Sequence, residues 1–391
     1  MMGPRTPAFR LRAYYFSVYW AMGCMFTYRA PYFREQCAVS DRELGLLYMV
    51  SPAVGLLTQW FWSWLADRYS MRARLASWLC VLAGLSACGF VVARGFLPLL
   101  LLIALQAVFF SPLRPIANSV TFSQLGEAGR GRFGNVRVYG TLGFLVALIL
   151  MGPLWDRIGL VWIFPAFAVG MLLGALLMRT LPAGDPADSE RPAVWRAIGQ
   201  LCGERNVLMF LSASFFASLS GMMAHVFWSI YVKQLGADNT QLGWLWTVGV
   251  ALEIVVMTKA YRVLERFGVK PLILAGLFAI FLRWTLAALV SSWWQLLPLQ
   301  LLHAFSFGAF YIGAVSFIDR ASPLGIRTSA QAVYAIVASG IARLIGSPLA
   351  GEIAERWGYP TLYTVCGALG LVAFGIMLVF VKEPGKEGLP S

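Results

Sequence analysis

The sequence predicts an all-α membrane protein with twelve transmembrane helices in two six-helix bundles. Of its 391 residues, 59% are hydrophobic and only 13% are charged, and long apolar stretches recur along the whole chain. A soluble domain averages roughly 25% charged residues. A stretch of about 20 apolar residues can cross a hydrocarbon core roughly 30 Å thick as a helix. In lipid only helices and closed barrels satisfy the backbone polar groups, and stretches this long favour helices.

The apolar stretches divide the chain into two halves of six. Those of the first half are expected at residues 13–33, 44–64, 75–93, 97–122, 131–154 and 161–181. Those of the second half are expected at residues 207–232, 241–260, 271–291, 294–318, 329–351 and 360–381. The segment between them is rich in Pro, Asp, Glu and Arg. We therefore expect an N-terminal bundle over residues 1–181, a linker over 182–206 and a C-terminal bundle over 207–391.

The net charge is +13, and the basic residues are concentrated in every second loop, with further ones at both termini. Cytoplasmic loops of membrane proteins carry the excess of Lys and Arg. This bias predicts an inner-membrane protein with both termini and the linker in the cytoplasm. No basic domain is present, so we expect no nucleic-acid partner.

A short pattern of an acid, Arg, an apolar residue, Gly or Ser and another apolar residue occurs four times. The copies follow stretches 2, 5, 8 and 11, at residues 67–71, 156–160, 265–269 and 355–359. The first and third copies are 198 residues apart, and the second and fourth are 199 apart, so the two halves are repeats. Copies within one half fall on opposite membrane faces, which indicates inverted three-helix units.

The first copy lies in the run from Trp64 to Arg74, which resembles the loop 2–3 signature of the major facilitator superfamily, with Ser63 and Ser70 where glycines are usual. With the six-plus-six layout, the resemblance covers nearly the whole chain. It implies transport by alternating access around a midplane site. An acid beside basic residues at a helix end can latch neighbouring helices. The residues expected to form such a conformational latch are Asp67, Arg68, Arg72, Glu265 and Arg266.

Charges inside the apolar stretches are unbalanced. Glu253 is the one carboxylate well inside them, and it is set against five arginines: Arg29, Arg114, Arg137, Arg283 and Arg343. An intramembrane charge is costly and marks a functional site by default. Guanidinium groups match the oxygens of carboxylates and phosphates. The surplus indicates an anionic substrate in a water-filled cavity, although Arg29, Arg137 and Arg343 could instead snorkel to the membrane surface.

The segment Phe133–Phe144 reads FGxxRxxGxxGF and places Arg137 beside two glycines on one helix surface. It resembles the lactose permease and 3-phenylpropionate transporter branch, in which the matching arginine contacts substrate. The acid that partners this arginine in lactose permease falls near Asn118 here. Arg114, one turn earlier and flanked by two prolines in a helix expected to be distorted, is a further candidate donor.

The same resemblance places Glu253, Arg283 and His303 in one central polar cluster. Because Glu253 is the only carboxylate expected at membrane depth, it is the expected proton carrier. His303 is the second candidate, or it forms only hydrogen bonds. A static pair of Glu253 with Arg283 is the structural alternative. Gln300 and Ser306 stand where lactose permease has a lysine and an acid, so its proton route cannot be carried over whole.

Two tryptophans at membrane depth, Trp246 and Trp284, could stack on a ring of the substrate or serve only in packing. His225 is expected to pack or to form hydrogen bonds. The chain has no metal-ligand spacing and no nucleophile triad, so we expect no enzyme activity, no metal and no cofactor.

The expected function is proton-coupled uptake of a small organic anion by a monomer, with the substrate, protons and the lipid bilayer as partners. Three alternatives remain open at this point: symport of a neutral sugar or nucleoside, efflux of a drug or metabolite, and lipid flipping. A sensor should carry a sizeable soluble domain, and the sequence contains none.

Overall fold

A computed structural model of the chain consists of helices joined by short turns. It describes residues 6–69, 71–125, 133–181, 199, 201, 203–323 and 326–383, apart from the side chains of Ser63, Asp67, Tyr261, Thr328 and Ser339. These residues contain no strand. The all-α fold class is therefore confirmed. Most of the expected linker lies outside the described residues.

The chain forms two compact units. The first comprises Met1–Ser189 with Ala237–Trp244, and the second comprises Glu190–Gly236 with Leu245–Ser391. The helices of the first unit are α1 (Pro7–Met25), α2 (Arg29–Gln36), α3 (Asp41–Arg68), α4 (Arg72–Cys88), α5 (Phe96–Phe110), α6 (Leu113–Leu125), α7 (Phe133–Ile158) and α8 (Ile163–Arg179).

The second unit contains two π-helical segments among its helices. The helices are α9 (Arg205–Gln234), α10 (Asn239–Phe267, which begins in the first unit), α11 (Val269–Ala287), α12 (Leu296–His303), α13 (Phe310–Ala321), α14 (Arg327–Ala335) and α15 (Ala342–Phe380). The π-helical segments, Ala304–Ala309 and Ile336–Ile341, join α12 to α13 and α14 to α15.

Ten stretches of the described residues are long and apolar enough to cross a membrane. The last covers 52 residues, Ser329–Phe380, and its helix α15 is broken at Gly358, where φ is 79°. This break falls between the two last stretches expected from the sequence. The first expected stretch is not among the ten, because arginines and tyrosines lower the hydropathy of α1 and the helix ends at Met25.

Packing within each unit relies on hydroxyl groups that bond to the backbone of a neighbouring helix. In the first unit, Ser17 of α1 donates to the carbonyl of Gly170 at 2.7 Å. In the second, Ser220 of α9 donates to the carbonyl of Cys366 at 2.7 Å. Helices in lipid gain little from the hydrophobic effect between them, so such bonds and close packing hold them together.

Two helices are capped by carboxylates from distant parts of the chain. Asp156, near the end of α7, accepts the backbone N–H groups of Asn239 and Thr240 at 3.0 and 2.9 Å, at the start of α10. Glu383 accepts those of Val269 and Lys270 at 2.7 and 2.8 Å, at the start of α11. A carboxylate at a helix N-terminus satisfies free N–H groups and complements the helix dipole.

Lys382, the residue before Glu383, forms two further hydrogen bonds, to the start of α9. The backbone N–H of Lys382 donates to Oδ1 of Asn206 at 2.7 Å, and the Asn206 side chain donates back to the Lys382 carbonyl at 3.2 Å. Residues 381–383 therefore tie the end of α15 to the starts of α9 and α11.

Candidate functional site

The polar residues expected on three successive stretches of the second half lie together in the second unit. Arg283 of α11 donates from Nη1 to Nδ1 of His303 at 2.8 Å, and Nε2 of that ring lies 3.7 Å from Oε2 of Glu253 on α10. A guanidinium has donors and no acceptor. His303 therefore accepts at Nδ1, and its neutral form carries the proton at Nε2, which faces Glu253. The imidazole links the two charged groups.

A π-helical segment follows His303 directly. In this segment Ser306 donates to the carbonyl of His303 at 3.1 Å, and a Cβ at Gly308 would lie 3.7 Å from Cγ of Glu253. Single π-turns inside α-helices occur frequently at functional sites. Here the altered helix path lies beside both members of the His303–Glu253 pair.

Aromatic rings surround the guanidinium of Arg283. Its Cζ lies 4.1 Å from the ring centroid of Trp284 and 5.2 Å from that of Trp228. Tyr363 stacks on Trp284, with ring centroids 5.5 Å apart. The faces of indole rings attract a cation. This setting stabilises Arg283, which is 2% exposed and forms no ion pair with a carboxylate of the described residues.

Two polar residues that the sequence did not assign to the site belong to this cluster. A Cβ at Gly249 would lie 2.7 Å from Oε1 of Gln300 and 3.0 Å from Cδ2 of His303, so the glycine permits their close approach to α10. The ring of His225, from α9, has its centroid 5.9 Å from those of both Trp246 and His303. In the sequence, Gln300 and His225 could have been recognised as site residues because each is a polar side chain within an apolar stretch. The second-unit cluster thus comprises His225, Trp246, Glu253, Arg283, Trp284, Gln300 and His303.

Arg343 lies at the edge of this cluster. It follows the second π-helical segment, and its Nε donates to Sδ of Met222 at 3.3 Å. The guanidinium is near enough to His225 to interact electrostatically with that ring.

The first unit holds a second polar cluster, formed by Tyr15, Tyr19, Asn118, Thr121 and Arg137. Arg137 donates from Nη2 to the hydroxyl of Tyr19, and its Cζ lies 4.1 Å from the Tyr19 ring centroid and 5.7 Å from that of Tyr15. Tyr15 donates to Oδ1 of Asn118 at 3.0 Å and lies 3.0 Å from Oγ1 of Thr121. Arg137 and Asn118, both expected in the site, are therefore joined through tyrosines.

The two glycines beside Arg137 explain how α1 reaches it. A Cβ at Gly140 would lie 3.0 Å from the ring of Tyr19, and one at Gly143 would overlap the carbonyl of Phe16. Only residues without a side chain let α1 approach α7 this closely. The spacing in the sequence thus brings tyrosines from α1 against the guanidinium.

The other two arginines of the first unit lie in different settings. The helix expected to be distorted around Arg114 is interrupted between α5 and α6 at residues 111–112, and Arg114 is exposed and within electrostatic reach of Tyr15. Arg29 is 4% exposed, donates to Oε1 of Gln106 at 3.3 Å and lies 4.9 Å from the ring of Phe26. Within the described part of the chain, Arg29 makes no contact with the Arg137 cluster.

None of the five arginines forms an ion pair with a carboxylate within the described part of the chain. In that same part, no group of three or more His, Cys, Asp or Glu side chains could hold a metal ion. Each cluster therefore contains an arginine whose positive charge has no carboxylate partner in the described residues, together with further hydrogen-bonding side chains.

The MFS_1 like family matches the chain over residues 8–365. The chain belongs to this family of the major facilitator superfamily. It is a multi-pass membrane transporter, as the loop signature and the internal repeats had predicted.

Relatives of this transporter have names that refer to several kinds of substrate. It is 24% identical to "Maltose permease" of Geobacillus stearothermophilus, over 96% of this chain and 95% of that one. It is 25% identical to "Probable 3-phenylpropionic acid transporter" of Escherichia coli, over 94% and 96%. The crystal structure of nucleoside transporter NupG has the same fold, with a TM-score of 0.83 at 15% identity over 96% of this chain and 98% of that chain.

The expected conformational latch of the transporter stays a prediction. The side chain of Asp67 lies outside the described residues, Arg68 is exposed at the end of α3, and Arg72 begins α4. Glu265 and Arg266 are exposed near the end of α10. In the second copy of the repeat, the acid Asp156 instead caps the start of α10. The turn-forming residues just before Asn239 in the sequence could have indicated that a helix starts there.

Proposed function

We propose that this transporter is a proton-coupled symporter that takes up a small organic anion by alternating access. The observation that carries the proposal is the group of five intramembrane arginines without a carboxylate partner among the described residues. Charges in membrane segments are normally neutralised by a partner. An anionic substrate supplies that partner, and guanidinium groups bind carboxylates with charge-assisted hydrogen bonds.

Glu253 is the proposed proton carrier. The Nδ1 lone pair of His303 is engaged by Arg283 at 2.8 Å, so the ring can take a second proton only by losing that bond. The carboxylate of Glu253 has no such restriction, and its side chain is 19% exposed. His303 is then a hydrogen-bonding link that lets the charge state of Glu253 influence Arg283.

The aromatic setting of Arg283 favours an acid that carries an aromatic ring. Trp246 and Trp284 belong to the second-unit cluster, and Trp228 contacts the same guanidinium at 5.2 Å. Indole rings offer large apolar faces on which another ring can stack. The similarity to the 3-phenylpropionic acid relative supports this substrate class.

A neutral sugar or nucleoside is the second candidate. The relatives named for maltose and the fold shared with a nucleoside transporter favour it. In that case the arginines would act as hydrogen-bond donors to hydroxyl or carbonyl oxygens.

Transport into proteoliposomes with an imposed pH gradient distinguishes the two candidates. The probes are 3-phenylpropionate, its neutral amide 3-phenylpropanamide, maltose and uridine. We expect gradient-dependent accumulation of the acid and far weaker binding of the amide. Equal binding of acid and amide, or accumulation of maltose or uridine alone, contradicts the organic-anion proposal.

We also propose that the protein lies in the inner membrane, with both termini in the cytoplasm. The basis is the excess of Lys and Arg in alternate loops. Cysteines added at either end should react in intact cells only with a membrane-permeable reagent. Labelling by an impermeant reagent would reverse the topology.

A further inference from the structure

Three N–H groups of the second-unit cluster lack a hydrogen-bond partner within the described part of the chain. They are Nε1 of Trp246, Nε of Arg283 and Nε2 of Gln300. Arg283 and Gln300 are each 2% exposed. Buried polar groups in native proteins are normally hydrogen-bonded, and an unpaired one is costly. Unpaired donors that gather in one cluster therefore point to a ligand.

The three donors belong to residues of the cluster around His303. The Nδ1 edge of His303 faces Arg283, whereas its Cδ2 edge faces Gly249, against which Gln300 also lies. Trp246 is one helical turn before Gly249 and so lies on the same side of α10. Gln300 thus lies at the edge of His303 opposite to Arg283, and Trp246 lies near it on α10, with its ring centroid 5.9 Å from that of His225.

The chemistry of these groups constrains what they bind. An indole N–H only donates, and the fully buried unpaired atom of Gln300 is the nitrogen of its amide, which also donates. A carbonyl oxygen accepts two hydrogen bonds and donates none. A hydroxyl group would bring a donor of its own and would need an acceptor in return, for which Nδ1 of His225, also unpaired, is the available atom.

We propose that Gln300 and Trp246 form a second recognition point, which binds a carbonyl oxygen of the substrate while the arginines bind its carboxylate. The transporter then selects oxo-substituted acids among organic anions. This inference rests on the proposed function, because it assumes that an organic acid is the substrate.

Calorimetric titration of the purified transporter tests the proposal with three sets of benzoates. The 2-, 3- and 4-acetylbenzoates carry a carbonyl, the ethylbenzoates are hydrocarbon analogues of similar shape, and the 1-hydroxyethylbenzoates carry a hydroxyl. Wild type should bind at least one acetyl isomer about tenfold more tightly than the matching ethyl compound, as expected for one or two buried hydrogen bonds.

Two variants remove the donors separately. Gln300→Leu deletes the amide, and Trp246→Phe deletes the indole N–H but keeps an aromatic ring. In either variant the acetyl-to-ethyl preference should fall several-fold, while binding of the ethyl compound persists and reports a folded site. Trp244→Phe, an exposed position two residues away, is the matched control and should keep the preference.

The results separate the two proposals. Binding of benzoates without an acetyl preference, a preference for the hydroxyl compounds, or an acetyl preference that survives both variants overturns the carbonyl-binding point alone. Failure of every benzoate to bind, with or without binding of maltose or uridine, overturns the organic-anion proposal together with it.

Discussion

The two polar clusters hold an arginine in different ways. In the first unit Arg137 rests on Tyr19 and Tyr15, which are neutral and contribute a hydroxyl and ring faces. In the second unit Arg283 bonds to His303, which faces the carboxylate of Glu253. The first cluster offers a fixed positive charge. The second offers a positive charge whose surroundings can gain or lose a proton.

This difference shows how internal repeats can diverge. The halves share the repeated loop pattern about 198 residues apart, so they are internal repeats of one six-helix unit. The residues inside each unit are not equivalent, because Arg137 contacts neutral tyrosines whereas Arg283 bonds to a histidine that faces Glu253. We infer that Arg137 and Arg283 each contribute to anion binding, whereas proton coupling belongs to the second cluster.

Removing the carboxylate of the second cluster should have the largest effect. We expect Glu253→Gln to abolish accumulation driven by a pH gradient, because glutamine cannot exchange a proton. Binding and exchange of 3-phenylpropionate should partly persist. Uptake and counterflow in proteoliposomes measure the two activities.

A Glu253→Gln variant that still builds a wild-type concentration ratio would exclude Glu253 as the proton carrier. His303 would then be the next candidate.

Removing either arginine should weaken anion binding strongly. Arg137→Ala and Arg283→Ala are each expected to cost about 2–5 kcal/mol, the typical effect of truncating one member of a buried charge pair. Lysine should rescue poorly, because it lacks the planar fork of the guanidinium. Dissociation constants for 3-phenylpropionate and its amide provide the measurement.

The acid-to-amide ratio supplies the control for these variants. In the arginine variants acid and amide should bind nearly equally. If the acid-to-amide ratio stays at its wild-type value in Arg137→Ala, anion binding does not depend on the first cluster, and the role given to Arg137 is wrong.

Changes at His303 should have an intermediate effect on binding. His303→Ala leaves Nη1 of Arg283 without its acceptor, and we expect binding of 3-phenylpropionate to weaken by about 1–3 kcal/mol. His303→Gln can accept from Arg283 and should recover much of that loss. If His303→Gln restores binding but not accumulation, His303 takes part in proton transfer as well.

The smallest effect is expected at Tyr19. Tyr19→Phe removes the hydroxyl that accepts from Arg137 but keeps the ring beneath the guanidinium, so binding should weaken by about 0.5–1.5 kcal/mol. A loss as large as that of Arg137→Ala would show that the hydroxyl itself contacts the substrate.

Much of the scaffold could be predicted because hydropathy and repeats act over many residues. The Arg283–His303–Glu253 grouping was also predicted, from resemblance. The tyrosines around Arg137 were not, since they come from α1 and the contact depends on how closely Gly140 and Gly143 let that helix approach. Likewise, the position of Gln300 depends on Gly249 and on the helix path near His303, which no local pattern encodes.

The anchoring of residues 381–383 has a practical consequence for protein engineering. Lys382 and Glu383 hold the starts of α9 and α11, so they are part of the folded domain although they follow the last helix. An affinity tag or fluorescent protein attached after Glu383 leaves these bonds in place. A truncation that removes Glu383 exposes two backbone N–H groups at the start of α11, and expression yield should drop at that residue and not before it.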